Sequence, residues 1–289
     1  MNTLLKLSQP ELEAQHAATM FEDSGFMHKH APALFATTAH PKMSERYSFT
    51  NTYDILLHMH NRGFRVTSVM GGTSMYNSVM VRMRNDAYGK HHGGSPEFIV
   101  TDSHDGSKKL KLMLGYITFI CMNGMIAGDI LYAKSFIHLA PDLMSQVRLE
   151  LDDIDVHVKK LVNRVASMRS YTTTIGERWL LADAAIEERF SYDASGAFKS
   201  DMRKKLLEPR RAEDTENDLY TVMNVVQENS LRGGISYTSP NHRVQRMRPI
   251  SGVDRNMHIN QRIWLEAERI MTRSLEFAKV AIAKEELKS

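Results

Sequence analysis

Two periods of apolar residues run along this chain, one of two residues and one of about 3.6, and they occupy different halves. Residues 1–45 carry histidines, prolines and alanines without a sustained period and read as an N-terminal arm. Asn51 then offers a cap to a helix through Ile55, Leu56 and Met59, which Asn61-Arg62-Gly63 stops. Val66 to Met70 reads as a strand ended by Gly71-Gly72. Ser78 to Arg84 alternates, with Val79, Val81 and Met83 on one face and Met80, Arg82 and Arg84 on the other. A polar loop spans Asp86 to Ser95, and Glu97 to Asp102 forms a further short strand. Asp105-Gly106, within Ser103 to Ser107, is a strong type I′ hairpin signal. Lys109 to Leu114 alternates again, Tyr116 to Met122 continues as an apolar strand, and Asn123-Gly124 predicts a second turn of the same type. Met125 to Leu139 supplies a last strand or two, although residues 110–122 also fit a buried helix.

Past Pro141 the period is helical. Val147, Leu151, Ile154, Val158, Leu161, Val165 and Met168 step by four and three, a seam that fits an internal core stripe or a partner helix of a homo-oligomer. A second helix carries Trp179 and Ile186, and a polar segment follows from Tyr192 to Asp218. A helix from Asp218 to Leu231 ends at Gly233-Gly234, and Ile259, Ile263, Ala267, Ile270, Ser274, Phe277 and Ala281 form a closing seam. The fold class expected is therefore α+β: an N-terminal antiparallel β-meander region at residues 46–140, packed with a helical C-terminal half at 141–289, folded as one compact unit or two closely packed ones.

Composition narrows the class without deciding the function. At 289 residues the chain can bury a core without disulfides, and its one cysteine, Cys121, fits a reducing compartment. No N-terminal basic head precedes an apolar stretch, and the run Leu110 to Ile130 is interrupted by Lys111, Asn123 and Asp129, so a cytoplasmic protein with no membrane partner is expected. The net charge of +3 is only mildly basic, which leaves the distribution of cations as the informative feature. Nineteen methionines fit adaptable core packing.

Three stretches stand out. They are Pro96-Glu97-Phe98-Ile99-Val100-Thr101-Asp102-Ser103-His104-Asp105-Gly106-Ser107; Cys121-Met122-Asn123-Gly124-Met125; and Asn224 to Gly234 with its Gln227-Glu228-Asn229-Ser230-Leu231-Arg232-Gly233-Gly234 core, followed by Arg248-Pro249-Ile250-Ser251-Gly252-Val253-Asp254, Asn260 and Trp264. In this order and spacing they resemble the phage- and plasmid-like domain-of-unknown-function family 932, over roughly residues 30 to 270. The resemblance implies prophage-borne relatives in enteric bacteria, encoded near anti-restriction and toxin–antitoxin genes, and a host-cell cytoplasmic location; the family has no agreed activity. Two positions depart from its pattern. Thr118-Phe119 lacks the arginine that commonly follows the aromatic residue there, and Ser230 replaces an aliphatic residue.

The chemistry-bearing residues favour binding over catalysis. Ser103, His104 and Asp105 have the types of a hydrolytic triad, but adjacent side chains cannot relay a proton in line, so a turn with His104 and Asp105 capping backbone amides is expected. The histidine pairs His28/His30, His58/His60 and His91/His92 diverge in direction, Asp152, Asp153 and Asp155 read as a solvated face, and Gly71-Gly72 lacks the lysine of a phosphate loop. No catalytic residue, metal ligand or cofactor is assigned. Cations, by contrast, cluster. Arg82, Arg84 and Lys90 mark the second strand and its loop, Lys108, Lys109 and Lys111 the Asp-Gly hairpin, Arg203, Lys204, Lys205, Arg210 and Arg211 the polar segment, and Arg232, Arg243, Arg246 and Arg248 the glycine pair. Such surfaces contact phosphates without reading sequence, and Tyr76, Tyr88 and Tyr237 can add stacking. Asn123 belongs with the motif residues, and Asn224, Gln227, Glu228 and Arg232 share a helix face able to bind a ligand or to anchor the loop Arg243 to Arg255. The leading expectation is non-enzymatic binding of single-stranded nucleic acid in phage or plasmid DNA metabolism. The alternative is a protein-interaction module directed at a host protein of a defence or toxin system.

Overall fold

The computed structural model describes residues 24–89, 93–118, 123–126, 132–139, 142–190, 196–250 and 252–286. Lys90, His91, His92 and Cys121 lie outside the described residues. The chain divides into two compact units, residues 1–162 with 251–255 and residues 163–250 with 256–289. Its class is α+β, strands preceding helices. Among the described residues no helix is long and apolar enough to cross a membrane.

The first unit holds a six-stranded sheet of β1 (Arg65–Gly71), β2 (Val79–Arg84), β3 (Gly94–Asp102), β4 (Leu110–Thr118), β5 (Asn123–Ile126) and β6 (Ala133–Phe136). Strands β1 to β5 follow one another as an antiparallel meander, and β6 returns to pair with β4 at Leu110–Met113 while β5 pairs at Gly115–Thr118. The period-two pattern thus describes residues 110–118, and the buried-helix alternative fails there. Asn123 does not open a turn: it already sits opposite Thr118 in the ladder, so the reversal precedes it. Asn-Gly favours a turn only where the chain has no ladder to join, and the free edge of β4 supplies one.

Every residue of β3 is buried, so both faces of the central strand are covered and its alternation carries no solvent side. This places Glu97, 1% exposed, inside the sheet. Arg82 of β2 donates to Glu97 Oε2 at 3.1 Å, and Thr67 of β1 donates to Oε1 at 3.1 Å. A charge that β-strand periodicity assigns to an outer face is therefore matched within the sheet by a partner one strand away.

Around the sheet lie α1 (Ser24–His30), a 3-10 turn (Pro32–Phe35), α2 (Thr52–His60), α3 (Leu143–Asp152) and the start of α4 (Ile154–Arg169). Asn51 caps α2 by accepting from the Tyr53 amide at 2.9 Å, and the chain leaves through Gly63 at φ +87°. All seven residues of the seam from Val147 to Met168 are buried, but Asp153 interrupts it, so the seam is carried by two helices.

The second unit contains α5 (Ile175–Arg189), α6 (Gly196–Leu206), a 3-10 turn (Ala212–Asp214), α7 (Leu219–Arg232), a hairpin of β7 (Ser236–Thr238) and β8 (Val244–Arg246), and most of α8 (Val253–Glu286). Thr174 and Glu177 form a reciprocal capping box on α5. Helix α6 falls within the stretch read as a polar segment. Its buried stripe is only Phe198, Met202 and Leu206, too sparse among lysines and arginines to stand out in the sequence.

Replacing Glu97 by Ala removes the carboxylate that Arg82 and Thr67 address inside the sheet. The expected cost is about 3–5 kcal/mol, read from urea unfolding, and most of it should return in the paired variant Arg82→Met/Glu97→Leu.

Candidate functional site

The Ser-His-Asp-Gly hairpin folds inward around Asp102, the last residue of β3. Asp102 is 1% exposed and accepts three hydrogen bonds: from the Thr52 hydroxyl at 2.9 Å, from His138 Nε2 at 2.9 Å and from the Ser103 amide at 2.8 Å. His104, fully buried, points its Nε2 at the Ala33 carbonyl at 2.9 Å and at the Thr52 hydroxyl at 3.2 Å. A carbonyl only accepts, so Nε2 carries the proton; Nδ1, left with the lone pair, has no partner. Phe49 lies against the His104 ring and Tyr47 stacks on His138. Burial holds His104 below the ordinary imidazole range, against the pull of the Asp102 carboxylate. Burial, helped by Asp102 and Asp105, likewise pushes the Tyr47 phenol up.

The chain reverses here, but not by the type I′ turn that Asp105-Gly106 suggests: β3 ends at Asp102, β4 starts at Leu110, and of the pair only Gly106 has a positive φ. The side chains therefore divide the work differently. Asp105 caps the Ser107 amide at 2.9 Å and Ser103 Oγ accepts from the Lys108 amide at 2.9 Å, whereas His104 leaves the turn to reach Ala33. Thr52, Asp102, Ser103, His104 and His138 are each 5% exposed or less. The group ties α2, the 3-10 turn, β3 and the segment after β6 together; in this conformation it offers no surface to a substrate. Among the described residues no group of three or more His, Cys, Asp or Glu side chains is placed to hold a metal ion.

The second motif is a clamp. Asn224, Gln227, Glu228, Asn229 and Ser230 are all buried on α7. Asn229 donates to the Leu206 and Glu208 carbonyls at 2.9 Å, and Arg210 donates back to Asn229 at 2.6 Å. Glu228 receives Arg211 through both terminal nitrogens and Arg232 at 2.7 Å. Gln227 bonds to Asn260 of α8 at 2.7 Å. The side chains thus hold residues 206–211, while the loop after β8 is anchored by backbone: Gly234 donates to Met247 and Ile250 to Leu231. Gly233 lies at φ +61°, and a Cβ there would stand 2.5 Å from the Met247 carbonyl oxygen.

The cations singled out by sequence separate into two kinds. Arg82 is committed to Glu97, Lys108 to Asp254 and Arg232 to Glu228. Arg84 is part-buried on β2. In the first unit Lys109, which is exposed, and Lys111 form no ion pair among the described residues. In the second unit Arg243, Arg246 and Arg248 are exposed on and beside the β7–β8 hairpin, also without an ion pair. These two groups belong to different units. Of the stacking tyrosines, Tyr237 is buried between Phe190 and Phe198, and Tyr88 gives its hydroxyl to Asp155. Tyr76 is part-exposed and meets His40 edge-on, and among the described residues Trp179 is the exposed aromatic, at 43%.

The β7–β8 hairpin has a defined geometry. Ser236 pairs with Arg246 and Thr238 with Val244, which puts these four on one face, and Val244 is 81% exposed. On the other face Tyr237 donates to Gln245 at 2.7 Å and packs into the aromatic trio. The tip closes through Ser239 and Arg243, whose backbone groups bond at 2.9 Å. The result is a short basic arm with an anchored base.

Comparison with known proteins adds a family and relatives. The family model described as "Domain of unknown function (DUF932)" matches residues 39–264. The chain is similar to the UPF0380 protein YafZ of Escherichia coli (strain K12), 28% identical over 248 residues, which covers 83% of this chain and 88% of the relative. It is also similar to the UPF0380 protein YfjQ of the same strain, 26% identical over 249 residues with the same coverage of each chain. No solved structure matches it.

The buried His104 generates a pH dependence with a definite sign. Its folded pKa lies below the unfolded value of about 6.5, so the unfolded chain takes up the proton first. Stability from this group is complete above about pH 6.5 and is lost as pH falls below it. Thermal melts taken at steps down from neutral pH should show this acid limb, and His104→Gln should flatten it.

Proposed function

The chain belongs to the family defined by the domain of unknown function DUF932, and within that family we propose that it is a nucleic-acid-binding protein, acting on single strands without catalysing a reaction on them. The observation that carries this reading is the β7–β8 arm: three arginines, Arg243, Arg246 and Arg248, exposed together and with no ion pair among the described residues. An arginine already neutralised by a carboxylate gains little from a phosphate, whereas an uncommitted one releases counterions from the strand. The anchored base supports the reading further, because a rigid arm gives up little conformational freedom on binding. Lys109 and Lys111 supply a second uncommitted pair on the first unit. The exposed Ser236, Thr238 and Val244 beside Arg246 suit sugar and backbone contacts rather than base-edge reading, which fits sequence-tolerant binding.

Binding of a labelled single-stranded oligonucleotide should be measurable at low salt and weaken linearly on a log–log salt plot. The double variant Arg243→Glu/Arg246→Glu should lower affinity and reduce the salt slope by about 0.7 for each phosphate it no longer neutralises. Absence of binding at low salt, or an unchanged slope in the variant, overturns the reading. A nuclease-resistant complex with a host protein would establish the protein-interaction alternative instead.

A further inference from the structure

The second unit contains a cleft of about 590 Å³ between α5, α6, the segment 207–217 and α7. That volume is in the range of small-ligand sites. Its walls combine apolar side chains, among them Ile175, Trp179 and Val225, with a charged rim.

Trp179 is held in place from one side. The Arg203 guanidinium lies 5.3 Å from its ring centroid and is itself fixed by two hydrogen bonds to Asp183, at 2.7 and 2.6 Å. The ring is nevertheless 43% exposed, so it presents surface to the cleft that no protein group covers. Next to it, Arg178 donates one terminal nitrogen to Asn217 at 2.7 Å, while its Nε is shut off from water and has no partner. Lys204 is exposed on the same rim and forms no ion pair among the described residues. The rim carboxylates divide in the same way. Asp201 is taken by Lys205 at 2.7 Å and Asp214 by Arg211 at 2.9 Å, whereas Glu208 and Glu216 are exposed and uncommitted.

We propose that this cleft is a subsite for one nucleoside monophosphate unit. The base lies against Trp179, the phosphate meets Lys204 and Arg178, and Glu208 and Glu216 accept hydrogen bonds from sugar hydroxyls or exocyclic amines. Each part follows from a general preference. Flat heterocycles stack on an exposed indole without regard to base identity. A phosphate is matched by an arginine–lysine pair. A rim with two uncommitted cations and two uncommitted carboxylates suits a single phosphate and repels a triphosphate. The unit can come from a free mononucleotide or from an unpaired residue of a single strand. Lys205, on the cleft rim, donates to the Ser236 carbonyl of β7 at 2.8 Å, so the cleft adjoins the basic arm. In its strand form the inference rests on the reading of that arm; in its mononucleotide form it stands alone.

The test uses the intrinsic fluorescence of the full chain. Trp264 is fully buried, so quenching on titration reports Trp179. AMP, adenosine, ATP and a short oligothymidylate are the probes. Saturable quenching by AMP is expected, with adenosine and ATP each weaker by about tenfold, because adenosine has no phosphate to offer the cations and ATP brings charge that the carboxylates repel. By calorimetry, Trp179→Leu should lose AMP binding, and Lys204→Glu should weaken it by about tenfold at an unchanged melting temperature. Quenching by AMP marks a free-nucleotide site, and quenching by the oligonucleotide alone marks a strand subsite. The Arg243→Glu/Arg246→Glu variant should lose the oligonucleotide and keep AMP, which separates failure of the arm from failure of the cleft. Salt-dependent oligonucleotide binding with no change in Trp179 emission on adding either the oligonucleotide or AMP leaves the arm standing and overturns the cleft. No saturable quenching by either ligand, or binding indifferent to Trp179→Leu and Lys204→Glu, overturns it as well.

Discussion

A carboxylate taken out of water must be met by donors from whatever surrounds it, and three such carboxylates organise this protein. Asp102 at the end of β3 draws in Thr52, His138 and the Ser103 amide. Glu97, in the same strand, draws in Arg82 and Thr67 from its neighbours. Glu228 on α7 draws in Arg211 and Arg232. In each case at least one donor comes from another element: Thr52 and His138 for Asp102, Arg82 and Thr67 for Glu97, and Arg211 for Glu228. The polar groups therefore specify which segments meet, while the apolar stripes supply the bulk of the burial.

This constraint decides what the motifs mean. The Ser-His-Asp-Gly and Gln-Glu-Asn elements look like sites because they concentrate polar residues, yet Ser103 and His104 of the first and Gln227, Glu228 and Asn229 of the second are buried and hydrogen-bonded within their own unit. His104 stays neutral in a pocket where Nδ1 has no acceptor to meet, which suits a structural ring better than a proton carrier. The same logic sorts the cations. Arginines drawn into the carboxylate groups are spent on the fold, and those left over on the β7–β8 arm are available to a ligand.

The exposed chemistry of the second unit depends on this internal order. Asn229 and Arg210 fix the segment 205–211, which forms one wall of the Trp179 cleft, and Gly233 brings the base of the hairpin against Met247. Tyr237, expected as a stacking platform, is instead the aromatic anchor of the arm, and Trp179 takes the exposed position. The exchange is physical: β7 alternates, so Tyr237 must face opposite Ser236 and Thr238, whereas Trp179 lies on a helix whose outer side remains uncovered.

By itself the sequence indicated the α+β class, an antiparallel meander, the cap at Asn51, a chain reversal at Asp105-Gly106 and the family resemblance. Each of these is local, encoded in the spacing of a few neighbouring residues. It also marked Asp102, His104 and Glu228 within its motifs without distinguishing a buried hub from a surface contact, and it passed over Thr52, Thr67 and His138, which complete the hubs. Only the tertiary structure decided that Arg82 belongs to Glu97, that Asn123 continues a ladder, that α6 is a helix and that Trp179 is open to solvent. Those outcomes depend on partners that come from other elements of the fold, such as Arg82 from the neighbouring strand of Glu97, and periodicity along a chain carries no information about which distant partner a charge or a ring will meet.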